Sequence, residues 1–437
     1  MLSMLMSAIY NLVDSIYVAQ VSELDFLALS YAYPVQLMMV AFCAGTGVGF
    51  NALFAQRLGA GQKEEANRVA CHGFLFYGLC WLLFLAFALL GAPLFFRLST
   101  DNAAVAAAGT SYLVICCGLS IGMCMQFLTE RLLQTTGHPA GFMIVQGSGA
   151  ILNIILDPVF IFGLDMGVVG AAAATVIGQI SGACIGFFLL WRIRGEFSVS
   201  FRGFRPDWKI VGNIFAIGMS PFLMNLAACF IVILINKGLK EYGGDLMIGA
   251  YGIVNRLAFF FVMIVLGVNQ GMQPIAGYNF GAKQYDRVMR VLKLTMIGAT
   301  CVTTAGFLLG EFMPRLAVGM FTSDEELIRL AVEGMRIVFF CFPIIGFQMV
   351  ATNFFMSIGM AGKAIFLSLS RQLLFLMPGL IFLPHIFDVC TEWNGSWGVW
   401  CSMPLSDFLA SLVAFFMLTY QLRKFRAIGA ENAAKEG

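Results

Sequence analysis

Apolar runs long enough to cross a bilayer recur from one end of this chain to the other, with no long polar segment left between them. A membrane-spanning helix needs roughly 20 mostly apolar residues. Twelve such spans can be read, numbered 1 to 6 over 2–21, 29–54, 69–93, 109–130, 141–163 and 168–191. Spans 7 to 12 cover 210–236, 247–270, 290–311, 333–356, 364–386 and 398–421. Only 11% of the residues are charged, against about a quarter in a soluble domain. That is too little charge to cover a water-facing surface, so the expected fold is an all-α polytopic membrane protein.

The distribution of charge then sets the orientation, because loops on the cytoplasmic side hold the excess of lysine and arginine. Nineteen of these residues fall on one side, from Arg57 to Lys435 and including Arg131, Arg192 and Arg371. The other side holds Arg97, Lys237, Lys240, Arg315, Arg329 and Arg336, while Arg256 falls inside span 8. Both termini are expected in the cytoplasm, with the chain in the inner (cytoplasmic) membrane. Met1 runs into span 1 without the basic lead-in of a signal peptide.

The chain also repeats itself. The loop after span 2 reads Leu58-Gly59-Ala60-Gly61-Gln62-Lys63-Glu64, and the loop after span 8 reads Phe280-Gly281-Ala282-Lys283-Gln284-Tyr285-Asp286. The offset of 222 residues between Gly59 and Gly281 also carries Gln126 onto Gln348, Gly137 onto Gly359 and Asp14 onto Asn236. Six spans per repeat give both halves the same topology, as in transporters whose binding site lies between two parallel repeats. The expected organisation is an N-lobe over 1–195, a cytoplasmic linker over 196–209 and a C-lobe over 210–437.

Ionisable groups inside a span are expensive to bury and mark functional candidates. Asp14 lies 7 residues below the outer end of span 1, Asp157 lies 6 below that of span 5, and Thr175 lies 7 below that of span 6. At 1.5 Å per residue all three sit about 10 Å below the outer edge. Asn153 is one turn deeper than Asp157 on the same face, and Gln179 is one turn below Thr175. Such an oxygen-rich cluster could hold H⁺ or Na⁺; the alternative is a buried hydrogen-bonded pair that only fixes helix packing. Pro158, directly after Asp157, leaves a carbonyl one turn earlier without its helical partner. Glu130 sits at an inner helix end.

Polar residues in the C-lobe are mostly neutral: Asn225, Asn236, Asn255, Gln270 and Gln273. Arg256 and Asp407 lie at similar depth in spans 8 and 12, which predicts a structural salt bridge between them. Twelve cysteines carry no CxxC spacing, and three histidines are dispersed. They read as packing residues rather than metal ligands, with Cys390 and Cys401 the one pair that could meet. There is no nucleophile–base constellation and no P-loop. An enzyme, a nucleotide-driven pump and a nucleic-acid partner are therefore not expected, nor is any cofactor.

Several stretches resemble the bacterial multidrug branch of the multidrug and toxic compound extrusion (MATE) family. They are Gln270-Gly271-Met272-Gln273-Pro274-Ile275-Ala276-Gly277-Tyr278-Asn279-Phe280-Gly281-Ala282-Lys283, Asn11-Leu12-Val13-Asp14-Ser15, Arg57-Leu58-Gly59-Ala60-Gly61, Gly137-His138-Pro139 and Pro404-Leu405-Ser406-Asp407. The resemblance covers essentially the whole chain, although family members usually carry additional residues before span 1. It implies two six-helix bundles around an outward-opening cavity, and export of cationic amphipathic compounds in exchange for H⁺ or Na⁺. It further implies an ion site made of Asp14, Asn153, Asp157 and Thr175. The expected partners are small cationic substrates and membrane lipid, with the chain a monomer. A lipid-linked saccharide or lipid flippase of similar architecture is the rival reading, and it calls for a more cationic cavity than Arg256 alone supplies.

Overall fold

The computed structural model describes residues 23–100, 102–193, 199–201, 204–321, 324–390 and 395–436. Span 1, with Asp14, lies outside the described residues. All the described regular structure is helical. Nine helices are long and apolar enough to cross a membrane, and two bent helix pairs bring the total to eleven spans among the described residues. The spans as observed are Pro34–Gly59, Lys63–Arg97, the pair Ala103–Gly118 with Ile121–Thr135, Pro139–Gly163 and Gly167–Arg192. They continue with Trp208–Gly244, Leu246–Gly281, Tyr285–Phe312, the pair Glu325–Phe340 with Phe342–Ser357, Ala361–Val389 and Gly395–Phe425. They correspond in order to spans 2 to 12. Large side chains such as Leu90, Phe230 and Phe416 are exposed on them, which suits lipid and not water.

Three features went unforeseen. Spans 4 and 10 are each broken, by 41° and 51°. The breaks follow Gly118 and Phe340, positions again 222 apart, and the runs are apolar on both sides, so hydropathy carries no sign of them. The segment between spans 7 and 8 is helical up to a kink at Gly244, whose φ of 70° and ψ of −170° are open essentially to glycine alone. Spans 3, 5 and 11 contain π-helical turns at Phe87–Gly91, Val159–Gly163 and Ser370–Leu376.

The chain divides into two compact units, Met1–Gly218 and Met219–Gly437. The division falls inside span 7 rather than in the 196–209 linker, because the first turns of span 7 pack on span 2. A Cβ on Gly218 would lie 2.6 Å from the Thr46 Cα, and the Phe42 and Phe215 rings are 6.2 Å apart.

The repeat reaches down to single hydrogen bonds in the loops. Gln62 N–H donates to the Arg57 carbonyl in unit 1, and Gln284 N–H donates to that of Asn279 in unit 2. His138 to Leu133 and Met360 to Phe355 form a second such pair. These i to i−5 bonds close helix ends whose next residue is left-handed: Gly61, Lys283, Gly137 and Gly359 all have positive φ.

Unit 1 is built around Phe50, Phe54, Tyr77, Tyr112 and Leu128, all fully buried. Unit 2 is built around Phe339, Phe342 and Trp400, with the two phenylalanine rings stacked at 4.3 Å across the break in span 10.

Candidate functional site: a polar cluster between spans 5 and 6

Span 6 carries glycine at 178, 182 and 186, a four-residue spacing that lays a smooth stripe along one face. A Cβ on Gly178 would sit 2.8 Å from the Gly149 carbonyl oxygen, and one on Gly149 would sit 3.0 Å from that of Gly178. Gly182 meets the Val145 carbonyl and Gln126, while Gly186 meets Thr129. Spans 4, 5 and 6 therefore approach backbone to backbone, and this contact sets the polar groups one turn further along spans 5 and 6 against each other.

Those groups are Asn153, Asp157 and Thr175, at 2%, 0% and 9% exposure. The Asn153 amide Nδ2 donates to Asp157 Oδ1 at 3.3 Å and to Thr175 Oγ1 at 3.4 Å. Its Oδ1 is buried and has no hydrogen-bond partner among the described residues. A buried carbonyl oxygen left unpaired is costly, so the cluster presents an oxygen ready for a proton donor or a cation. Both contacts are long for hydrogen bonds. Directly beyond Asp157, Pro158 removes one helical N–H and the helix widens into the Val159–Gly163 π-turn. Such turns are frequent at functional sites. Gln179 is half-buried and joins no hydrogen bond to this cluster.

A second polar region of unit 1 lies near the end of span 4. Glu130 and Arg131, in the last part of that helix, are only 2% and 3% exposed. Gln126 Nε2 donates to Glu130 Oε1 at 2.9 Å, Arg131 Nη1 donates to Gln134 Oε1 at 3.1 Å, and Thr135 donates to Asn51 Oδ1.

In unit 2 the expected Arg256–Asp407 salt bridge does not form. Arg256 is exposed, as is Asn255. Asp407 instead pairs with Arg371, whose Nε lies 2.5 Å from Asp407 Oδ1. Arg371 was counted among the basic-end residues but stands within the π-turn of span 11. Gln273 is buried and donates to Asn353 Oδ1 at 3.2 Å, while Asn236 and Gln270 are half-buried in spans 7 and 8. The Asn225 side chain lies outside the described residues. Cys401 is a free thiol.

The comparisons agree with this architecture. The MatE family profile matches residues 1–159 and 217–381. The multidrug export protein MepA of Staphylococcus aureus (strain NCTC 8325 / PS 47) is 27% identical over 97% of this chain and 92% of its own length. MepA of Staphylococcus saprophyticus is 23% identical over the same shares. Among solved structures, MATE in the bent conformation superposes with a TM-score of 0.89 at 22% identity, over 98% of this chain and 94% of that one. The outward-facing conformation of a multidrug resistance MATE family transporter gives 0.86 at 22% identity, over 97% and 94%. A chain matched across both repeats by one profile, with the same helical architecture, is a multi-pass membrane protein of the MATE transporter family.

Proposed function

We propose that this protein is a secondary antiporter that exports cationic amphipathic compounds from the cytoplasm in exchange for H⁺ or Na⁺. The observation that carries the reading is the unpartnered Asn153 Oδ1 beside the fully buried Asp157 carboxylate. With Thr175 Oγ1 these atoms form a set of hard oxygens, and Asp14 would complete it from span 1. A proton or Na⁺ arriving there removes one unit of the cluster's negative charge and loosens the hold on a cationic substrate. Coupling requires only that ion and substrate favour different conformations. The chain would act as a monomer in the inner membrane, with its basic loops and both termini in the cytoplasm, as the lysine and arginine distribution indicates. The naming of the Staphylococcus relatives as multidrug exporters supports a broad apolar-cation range, which aromatic and Met side chains can accommodate by repacking.

The test is drug efflux in inverted vesicles under an imposed Na⁺ or H⁺ gradient, for wild type and Asp157→Asn. Wild type should respond to one gradient and the variant to neither. A variant with unchanged gradient-driven efflux removes Asp157 from the coupling role.

A further inference from the structure

At the basic end of unit 1, a groove of about 520 Å³ lies between the loop after span 4, the start of span 5 and the last turn of span 6. Leu133, Ile144, Leu189 and Ile193 line its apolar part, and His138 and Arg192 line its polar part. Ile144 is 51% exposed, so the groove opens on the outer surface of the unit and not into the core. Arg192 is exposed and no carboxylate lines the groove among the described residues. Pro139 begins the helix of span 5 at the same place, and the first turn of a helix carries partial positive charge. Pro139 has no N–H and the Gly141 N–H donates to the His138 carbonyl, which leaves Ala140 as the first-turn donor.

The level of this groove relative to a membrane can be read from its neighbours. Phe188 and Trp191 stack at 6.2 Å on the last turn of span 6, and both are more than half exposed. Exposed tryptophan at a span end marks the boundary between acyl chains and headgroups. Arg192 follows directly, so a cation, an imidazole and a helix N-terminus meet at headgroup level above an apolar slot. Basic pockets between spans at this level suit anionic headgroups.

We propose that the groove binds an anionic glycerophospholipid. Arg192 pairs with its phosphodiester, His138 and the Ala140 N–H donate to the phosphate oxygens, and an acyl chain descends along Ile144 and Leu189. A soluble phosphate ester shares the headgroup chemistry but has no use for the apolar slot. General attraction of anionic lipid to the basic end needs the charge but no groove.

The experiment uses the full chain in nanodiscs of mixed phosphatidylcholine and phosphatidylglycerol, with retained lipid counted by native mass spectrometry. Wild type should retain phosphatidylglycerol preferentially, and Arg192→Gln should lower that preference roughly five-fold, the effect of one interfacial cation. Ile144→Trp, which fills the slot and leaves the charge intact, should lower it as well, and glycerol 1-phosphate should not displace the lipid. Three results would each overturn the proposal: equal retention in wild type and Arg192→Gln, undiminished retention in Ile144→Trp, or displacement by glycerol 1-phosphate. Melting temperatures in pure phosphatidylcholine should be equal for all three proteins, which separates lost binding from lost folding.

Discussion

Arg371 Nε lies 2.5 Å from Asp407 Oδ1, joining spans 11 and 12 of unit 2, with the carboxylate 3% exposed and the guanidinium 33%. Removing one member of a buried pair strands an uncompensated charge and costs about 3–5 kcal/mol, whereas replacing both by apolar groups is often neutral. Arg371→Met should therefore melt well below wild type in detergent, and Arg371→Met with Asp407→Leu should recover most of the loss. Equal destabilisation by the single and double variants would show that the pair is not the stabilising contact. Arg256→Met should leave the melt unchanged within about 0.5 kcal/mol, as expected for an exposed site.

The glycine stripe on span 6 makes a sharper packing prediction. At Gly178 an added Cβ meets the Gly149 backbone carbonyl at 2.8 Å, and backbone cannot swing aside as a flexible side chain can. Gly178→Ala should cost about 1–3 kcal/mol by overpacking, read as a lowered melting temperature. Gly212, whose Cβ would meet nothing within 4 Å, is the control: Gly212→Ala should be neutral or slightly stabilising, since alanine is the better helix former.

What was legible in the sequence follows from which geometry survives projection onto a line. Span order, the 222-residue repeat and the Asn153–Asp157–Thr175 cluster depend on depth along nearly straight helices, and counting residues measures depth. Arg256 and Asp407 also match in depth, but Arg256 points away from the interior. Depth says nothing about direction around a helix. Arg371 was hidden further by its π-turn, which rotates one helical face against the next and leaves no compositional mark. The burial of Glu130 and Arg131 is likewise a matter of direction around span 4, and the bend after Gly118 is equally silent in hydropathy. The glycines of span 6 were visible as residues, but their meaning as a contact stripe needed the partners Gly149, Val145 and Thr129.

The two loop turns related by the repeat differ at one informative position. Gly61 has a φ of 71°, and its counterpart Lys283 has a φ of 57°. A side chain in this left-handed region is strained by about 1–2 kcal/mol, partly offset because glycine is the more flexible residue when unfolded. Lys283→Gly should therefore stabilise by roughly 0.5–1 kcal/mol, and Gly61→Ala should destabilise by a similar amount. Both are read as melting shifts in one detergent. A lowered melt for Lys283→Gly would mean that the lysine side chain makes a contact worth more than the strain.

Within unit 1, the segment before span 7 is fastened to span 3 by side-chain bonds to its backbone. Asn67 Nδ2 donates to the Ser200 carbonyl at 2.7 Å, and Asn67 Oδ1 accepts the Ser200 N–H at 2.8 Å. Two turns of chain further on, His72 Nε2 accepts the Asp207 N–H at 2.7 Å, and its Nδ1 lies 2.7 Å from the Arg68 carbonyl. A carbonyl can only accept, so Nδ1 carries the hydrogen and the ring is neutral. The Phe204 ring packs edge-on to the imidazole at 5.0 Å, and Arg68 reaches Asp207 at 3.7 Å. Each backbone bond contributes about 1 kcal/mol net, so Asn67→Ala, which removes two, should raise the open population roughly five- to thirty-fold. Trypsin added to the basic side of sealed vesicles reads this as faster cleavage after exposed Lys209. His72→Phe, which removes the acceptor of the Asp207 N–H, should speed cleavage as well. Cleavage of His72→Phe at the wild-type rate would mean that the His72 bond does not govern release of this segment.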